Sequence, residues 1–126
     1  IELACKSDFI VILCNLDNNT KGIIQNDFFS SMKKSAYIFN LSRGPVINER
    51  HLENAIESKI IAGAGLDVTE IEPLPINSKL LRLDNIIITP HALCWTDECF
   101  NDIATEAINS ILNFIDKKPI SNQVNK

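Results

Sequence analysis

Short apolar runs rich in β-branched residues recur four times along this chain, and segments with helix-capping signals or helical spacing follow three of them. This alternation constrains the fold more than any other feature. Strand and helix taken in turn build βαβ units, and those units require a parallel sheet. The runs occupy 8–13, 36–40, part of 61–68, and 86–88. The first is almost continuously apolar, which predicts a parallel strand buried on both faces rather than half exposed. In the third, Gly63 and Gly65 predict close approach by neighbouring backbone, and Pro90 bars the fourth from continuing as a central strand.

Helix signals fill the gaps. Asn26 or Asp27 is expected to cap a short helix through Phe28, Phe29 and Met32, ending at the cations Lys33 and Lys34. Asn48 caps a second over 49–58, with Leu52, Ala55 and Ile56 on one face. The last is the longest. Thr96 caps it, Asp97 and Glu98 open it, and Phe100, Ile103, Ala107, Ile108, Ile111, Leu112 and Ile115 form one apolar stripe, which Pro119 terminates. Between the third and fourth strands, 70–85 is rich in Pro, Asn, Ser and charges; an ordered loop of that length in a compact domain usually carries function.

Composition narrows the classes. At 126 residues the chain holds at most one domain, and a net charge of −4 argues against a phosphate-backbone binder, so no nucleic-acid partner is expected. No apolar stretch approaches the ~18 residues of a membrane span, and no signal peptide opens the chain, so no membrane partner and a cytoplasmic location are expected. The sole methionine is Met32, and the start reads as a cut through a larger protein. Cys5, Cys14, Cys94 and Cys99 show no metal or disulfide spacing and are expected to be reduced and mostly packed. His51 is expected to face solvent without a role, and Trp95 to serve as packing or pocket wall.

A titratable residue stands beyond the end of three of these runs: Arg43, Glu72 and His91. In open parallel sheets, ligands and catalytic groups gather at that edge. An arginine matches a carboxylate in bidentate fashion, and histidine titrates near neutral pH. Together with a carboxylate they form an anion clamp and a supported acid/base.

The motifs around these residues are similar to those of the D-isomer-specific 2-hydroxyacid dehydrogenases. That family's N-x-[AS]-R-G reads here as Asn40-Leu41-Ser42-Arg43-Gly44. Its G-A-x-x-D-V-x-x-x-E-P reads as Gly63 to Pro73, with Asp67, Val68 and Glu72 in place. Its N-V-x-x-T-P-H reads as Asn85-Ile86-Ile87-Ile88-Thr89-Pro90-His91. Ser7-Asp8-Phe9, the Thr20 loop, Met32-Lys33, Pro73-Leu74-Pro75 and the closing Asn122-Gln123-Val124-Asn125 also match. Cys14 stands where many members have histidine, and Asn48 where Asp is common.

The resemblance implies a partial Rossmann-type α/β fold: a parallel sheet with flanking helices and a long C-terminal amphipathic helix. It assigns 1–95 to the C-terminal part of an NAD(P)-binding domain and 96–126 to a helix and tail packing toward a substrate domain outside this chain. By the same resemblance, Arg43 binds the substrate carboxylate and carbonyl oxygen and His91 is the general acid. Glu72 orients the imidazole and favours its protonated form. Asp67 lies at the nicotinamide end of the cofactor, NAD or NADP. Leu41, Ser42 and Arg43, with His91, Ala92, Leu93 and Cys94, line its pocket.

The implied function is hydride transfer between a 2-oxo acid and a D-2-hydroxy acid, with a homodimer as the full-length form. No G-x-G-x-x-G is present, so the pyrophosphate site of the family cannot be built from these residues, and the chain alone is expected to be inactive. A competing class exists. The same fold serves nucleotide-sensing corepressors, which bind partners without turnover.

Overall fold

The computed structural model describes residues 1–124; Asn125, the last residue of the closing match, lies outside the described residues. In chain order the elements are α1 (Glu2–Lys6), β1 (Phe9–Ile12), α2 (Asn26–Ser31), β2 (Tyr37–Asn40), a 3₁₀ turn (Gly44–Val46), α3 (Glu49–Glu57), β3 (Gly63–Leu66), a second 3₁₀ turn (Lys79–Arg82), β4 (Ile86–Ile88) and α4 (Asp97–Ile115). They divide into two compact units, Ile1–Ala92 and Leu93–Lys126.

In the first unit the four strands are all parallel and lie in the order β1-β2-β3-β4, so β4 is an edge strand, as Pro90 requires. Ile12 pairs with Asn40, Asn40 with Leu66, and Leu66 with Ile88, so the strands end in one row. Whatever follows each strand is therefore delivered to the same edge of the sheet. The core gathers on one face, where Ile10, Ile12 and Ile38 pack with Phe29, Leu52 and Ile56 of α2 and α3. Asn48 caps α3 as expected, its side chain accepting from the His51 N–H at 3.1 Å.

Within these residues β1 is buried on one face only, where burial on both was expected. Ile10 and Ile12 are buried, but Phe9 and Val11 are 68% and 50% exposed. The described helices of this unit that reach the core lie on the side of Ile10, and the other face presents Phe9 stacked on Tyr37 with ring centroids 6.0 Å apart. Gly63 and Gly65 serve that second face. Added Cβ atoms would meet the Asn85 carbonyl and Tyr37 ring in one case and the Phe39 ring in the other. The close neighbour is thus backbone at Gly63 and an aromatic ring at Gly65.

Three smaller expectations change as well. Gln25, not Asn26 or Asp27, is the N-cap of α2, and it makes no side-chain cap bond. The bridge between Ile24 and Ile47 keeps the chain extended up to Gln25, so the helix begins at Asn26. The cysteines are free but not packed: Cys5, Cys14 and Cys94 are exposed and Cys99 is half-buried, because α1 turns only Ala4 inward and α4 buries no residue. His51 is half-buried, with Nδ1 buried and without a hydrogen-bond partner, rather than solvent-facing.

The second unit is dominated by α4, whose Thr96 cap accepts from the Cys99 N–H at 3.1 Å. Its apolar stripe is open, Phe100, Ile103, Ile108 and Ile111 each being more than half exposed, as is Trp95, expected to serve as packing or pocket wall. No helix among the described residues is long and apolar enough to cross a membrane.

Candidate active site

Because the strands end in register, the turns after β2, β3 and β4 rise side by side. The turn after β2 carries Arg43. Its geometry is set by Asn40, which is 1% exposed. Asn40 Oδ1 accepts from the backbone N–H of Ser42 at 3.2 Å and from its hydroxyl at 3.0 Å, while Nδ2 donates to the Arg43 carbonyl at 3.0 Å. The guanidinium is exposed, and its Nη1 donates to the Ser42 carbonyl at 2.6 Å.

The loop after β3 carries Glu72. Its Oε1 accepts from the Thr69 N–H at 3.0 Å, and its Oε2 lies 2.9 Å from His91 Nδ1. A carboxylate only accepts, so this contact places a ring proton on Nδ1 and leaves Nε2 outside the pair. The hydrogen bond from His91 is the largest of the influences that hold the Glu72 carboxyl below its ordinary range. Burial, the second-largest influence, pushes it up, and the Thr69 N–H and the charges of His91 and Arg43 add to the downward pull. Arg43 is thus close enough to be felt at Glu72.

Glu70, two residues from Glu72, is committed elsewhere. It accepts from the Glu49 N–H at 2.8 Å, and its own N–H donates to the Glu49 carboxylate. That reciprocal pair ties the loop to the start of α3, so Glu72, not Glu70, is the partner of the histidine.

After β4 the chain turns sharply at His91, whose φ is +55°. A non-glycine residue in the left-handed region is uncommon and persists only where its surroundings hold it. Asp67 supplies that hold. It is 5% exposed, and its Oδ1 accepts from the Thr89 hydroxyl at 2.5 Å and from the Ala92 N–H at 2.9 Å, on either side of His91. Asp67 also donates its own N–H to the Asn40 carbonyl at 3.1 Å. The roles of Asn40 and Thr89 were missed by sequence reasoning, although both stand inside the motifs; only the folded turns show what they bind.

Two clefts open on this edge. One, of about 630 Å³, lies over β3 and β4 and is lined by Asp67, Glu72, Leu74, Leu81, Thr89 and His91. The other, of about 600 Å³, lies over β1 and β2 and is lined by Leu13, Cys14, Leu16, Leu41, Ser42 and Arg43. The structure therefore brings Glu72 and His91 into contact and sets Arg43 nearby. Leu41 and Ser42 line the second cleft, and Ala92 is held by Asp67. Leu93 and Cys94 belong to the second unit, where both are exposed.

Such clefts suit the flat, partly apolar end of a dinucleotide, and Asp67 and Ser42 offer polar groups beside them. No glycine-rich loop at a helix N-terminus accompanies them in this sequence. The residues present fit the reactive end of a nicotinamide cofactor and do not include its pyrophosphate cradle.

Residues 1–92 match the NAD-binding domain of the D-isomer specific 2-hydroxyacid dehydrogenases. The chain belongs to this family. Glyoxylate reductase/hydroxypyruvate reductase of Homo sapiens is 43% identical over 123 residues, a match that covers 98% of this chain and 38% of the human protein. Glyoxylate/hydroxypyruvate reductase B of Enterobacter sp. (strain 638) is 36% identical over 120 residues, covering 95% of this chain and 37% of its own length.

Among solved structures, the holo form of D-mandelate dehydrogenase from Rhodotorula graminis superposes with a TM-score of 0.92 at 31% identity, covering 99% of this chain and 36% of that one. A D-isomer specific 2-hydroxyacid dehydrogenase from Xanthobacter autotrophicus Py2, in complex with NADPH and MES, gives 0.86 at 31% identity, covering 98% of this chain and 40% of that one. The chain therefore spans a little over a third of the length of the family members it matches, and its parallel sheet with flanking helices is the Rossmann-type fold of their NAD-binding domains.

Proposed function

We propose that this chain is the C-terminal part of an NAD(P)-dependent oxidoreductase that interconverts a 2-oxo acid and a D-2-hydroxy acid, of the glyoxylate and hydroxypyruvate class. The observation that carries this reading is the 2.9 Å contact between His91 Nδ1 and Glu72 Oε2, on the sheet edge to which the turn of Arg43 is also delivered.

In the reductive direction a bound nicotinamide cofactor supplies the hydride to the carbonyl carbon. The chain's residues do the rest. Arg43 pairs with the substrate carboxylate and stabilises charge gathering on the carbonyl oxygen. His91 donates its Nε2 proton to that oxygen and is left neutral, with its Nδ1 proton still directed at Glu72. Glu72 fixes the ring orientation and compensates the imidazolium before transfer. In the oxidative direction Nε2 takes the hydroxyl proton back.

By the same reading Asp67 stands at the nicotinamide end, and Leu41, Ser42, Ala92, Leu93 and Cys94 border the cofactor pocket. Residues 1–95 complete a cofactor domain begun upstream. Residues 96–126 pack toward a substrate domain, which the open apolar stripe of α4 supports. The full-length form is a cytoplasmic homodimer.

The test is a spectrophotometric assay of the full-length protein with NADH or NADPH and glyoxylate or hydroxypyruvate. Cofactor oxidation that requires the 2-oxo acid is the expected result. Cofactor binding without turnover on any 2-oxo acid would overturn the reading.

A further inference from the structure

Asn40 is almost fully buried at the end of β2, and all of its hydrogen-bonding side-chain atoms are spent on the turn that presents Arg43. The Ser42 N–H only donates and the Arg43 carbonyl only accepts. The amide orientation is therefore fixed by its partners: Oδ1 toward residue 42, Nδ2 toward residue 43. A side chain here must present an acceptor and a donor at once, each two bonds beyond Cβ. Aspartate has the length but no donor when ionised, serine and alanine cannot reach both partners, and glutamine is one methylene too long. The Arg43 guanidinium is in turn tethered to the carbonyl of Ser42, the residue Asn40 grips. Both ends of the arginine are thus registered against one buried amide.

We infer that Asn40 is a positioning residue for Arg43, setting where the guanidinium meets the substrate anion, an inference that rests on the reading of Arg43 as that clamp. Asn40 itself touches no reacting atom. It acts by restricting the backbone at residue 43, so its loss frees the clamp without removing it. Placement errors of about 1 Å can cost on the order of a hundredfold in rate even when the chemical groups are intact.

The experiment uses the full-length protein with Asn40→Asp and Asn40→Ala, each alone and combined with Arg43→Ala. It reads kcat and KM for the 2-oxo acid, KM for NAD(P)H, and melting temperature. Asn40→Asp keeps the length and the acceptor for Ser42 and, when ionised, puts a charged acceptor where the donor to residue 43 stood, so it tests the positioning role should Asn40→Ala fail to fold. We expect kcat/KM for the 2-oxo acid to fall by roughly tenfold or more while KM for the cofactor stays within about twofold. In the Arg43→Ala background the same change should lower kcat/KM by no more than about twofold, yet lower the melting temperature as much as before.

Losses that multiply independently in the two backgrounds, or both KM values rising in step with a falling melting temperature, would overturn the positioning role and leave the reductase reading intact. A wild-type protein that reduces no 2-oxo acid would overturn that reading, and this inference with it.

Discussion

Gly44 lies so close to Thr69 that a Cβ added to it would sit 1.9 Å from the Thr69 carbonyl oxygen. This contact presses the turn that carries Arg43 onto the loop that carries Glu72, and the obstacle is backbone that cannot rotate away. Gly44→Ala should therefore separate the two loops. Overpacking of this kind costs about 1–3 kcal/mol and occasionally more. Denaturant unfolding should show a loss of at least that size, and the full-length enzyme should lose kcat/KM beyond what its residual stability explains.

Glu72 ties pH to both stability and turnover. Its carboxyl is held below the ordinary 4.5, chiefly by the His91 hydrogen bond. A depressed folded value means the contribution to stability is present above pH 4.5 and is lost as pH falls through the lower, folded value. The side chain is 40% exposed, so solvent screens the effect and it is small. Glu72→Gln should flatten the acid limb of the stability curve only slightly. Its kinetic effect should be larger, with kcat falling on the order of tenfold to a hundredfold as the imidazole loses its orienting anion, less than the roughly 10²–10⁴-fold that a positioned acid–base group itself contributes.

The neighbouring Glu49 has the opposite sign. Burial is the main cause that raises its carboxyl above 4.5, with the charges of Glu70, Glu53 and Glu72 adding and the Glu70 N–H opposing. Stability is then lost as pH rises from 4.5 through the raised folded value, and the penalty stands in full at neutrality. Glutamine keeps an acceptor for the Glu70 N–H and removes the charge. Glu49→Gln is expected to raise the pH 7 melting temperature by a few degrees at most and to have less effect at pH 4. Calorimetry at the two pH values checks this.

Where sequence pattern met local physics, it was easily read. The β-branched runs became strands, Asn48 and Thr96 capped their helices, and Pro90 ended an edge strand. Arg43, Glu72 and His91 were legible through their motifs and through their place beyond strand ends. What escaped depends on long-range packing. An apolar run such as Phe9–Ile12 does not record which stretch of chain covers each face, and within these 126 residues only the face of Ile10 and Ile12 is covered. The choice of Glu72 over Glu70 was legible from its place beside Pro73, and the fold agrees, since Glu70 is engaged by Glu49. Asn40 reads in sequence as one motif letter, and its work appears only once residues 42 and 43 fold back over it.

The reach of these 126 residues alone is also measurable. By the proposed reading they line the reactive end of a cofactor site, but they contain no glycine-rich loop for the pyrophosphate, the part that contributes strong anion binding in this fold. Isothermal titration with NADH is expected to show weak binding, with no turnover on 2-oxo acids. Submicromolar affinity would place the main cofactor contacts within this chain, contrary to that expectation.

The most direct test of the acid–base assignment is His91→Asn in the full-length protein, assayed for 2-oxo acid reduction across pH. Asparagine keeps a short polar side chain and removes the titratable ring. Turnover is expected to fall by roughly 10²–10⁴-fold, the usual contribution of a positioned acid–base residue, with cofactor affinity little changed. Normal turnover by His91→Asn would contradict the assignment of His91 and Glu72 as the proton-transfer pair.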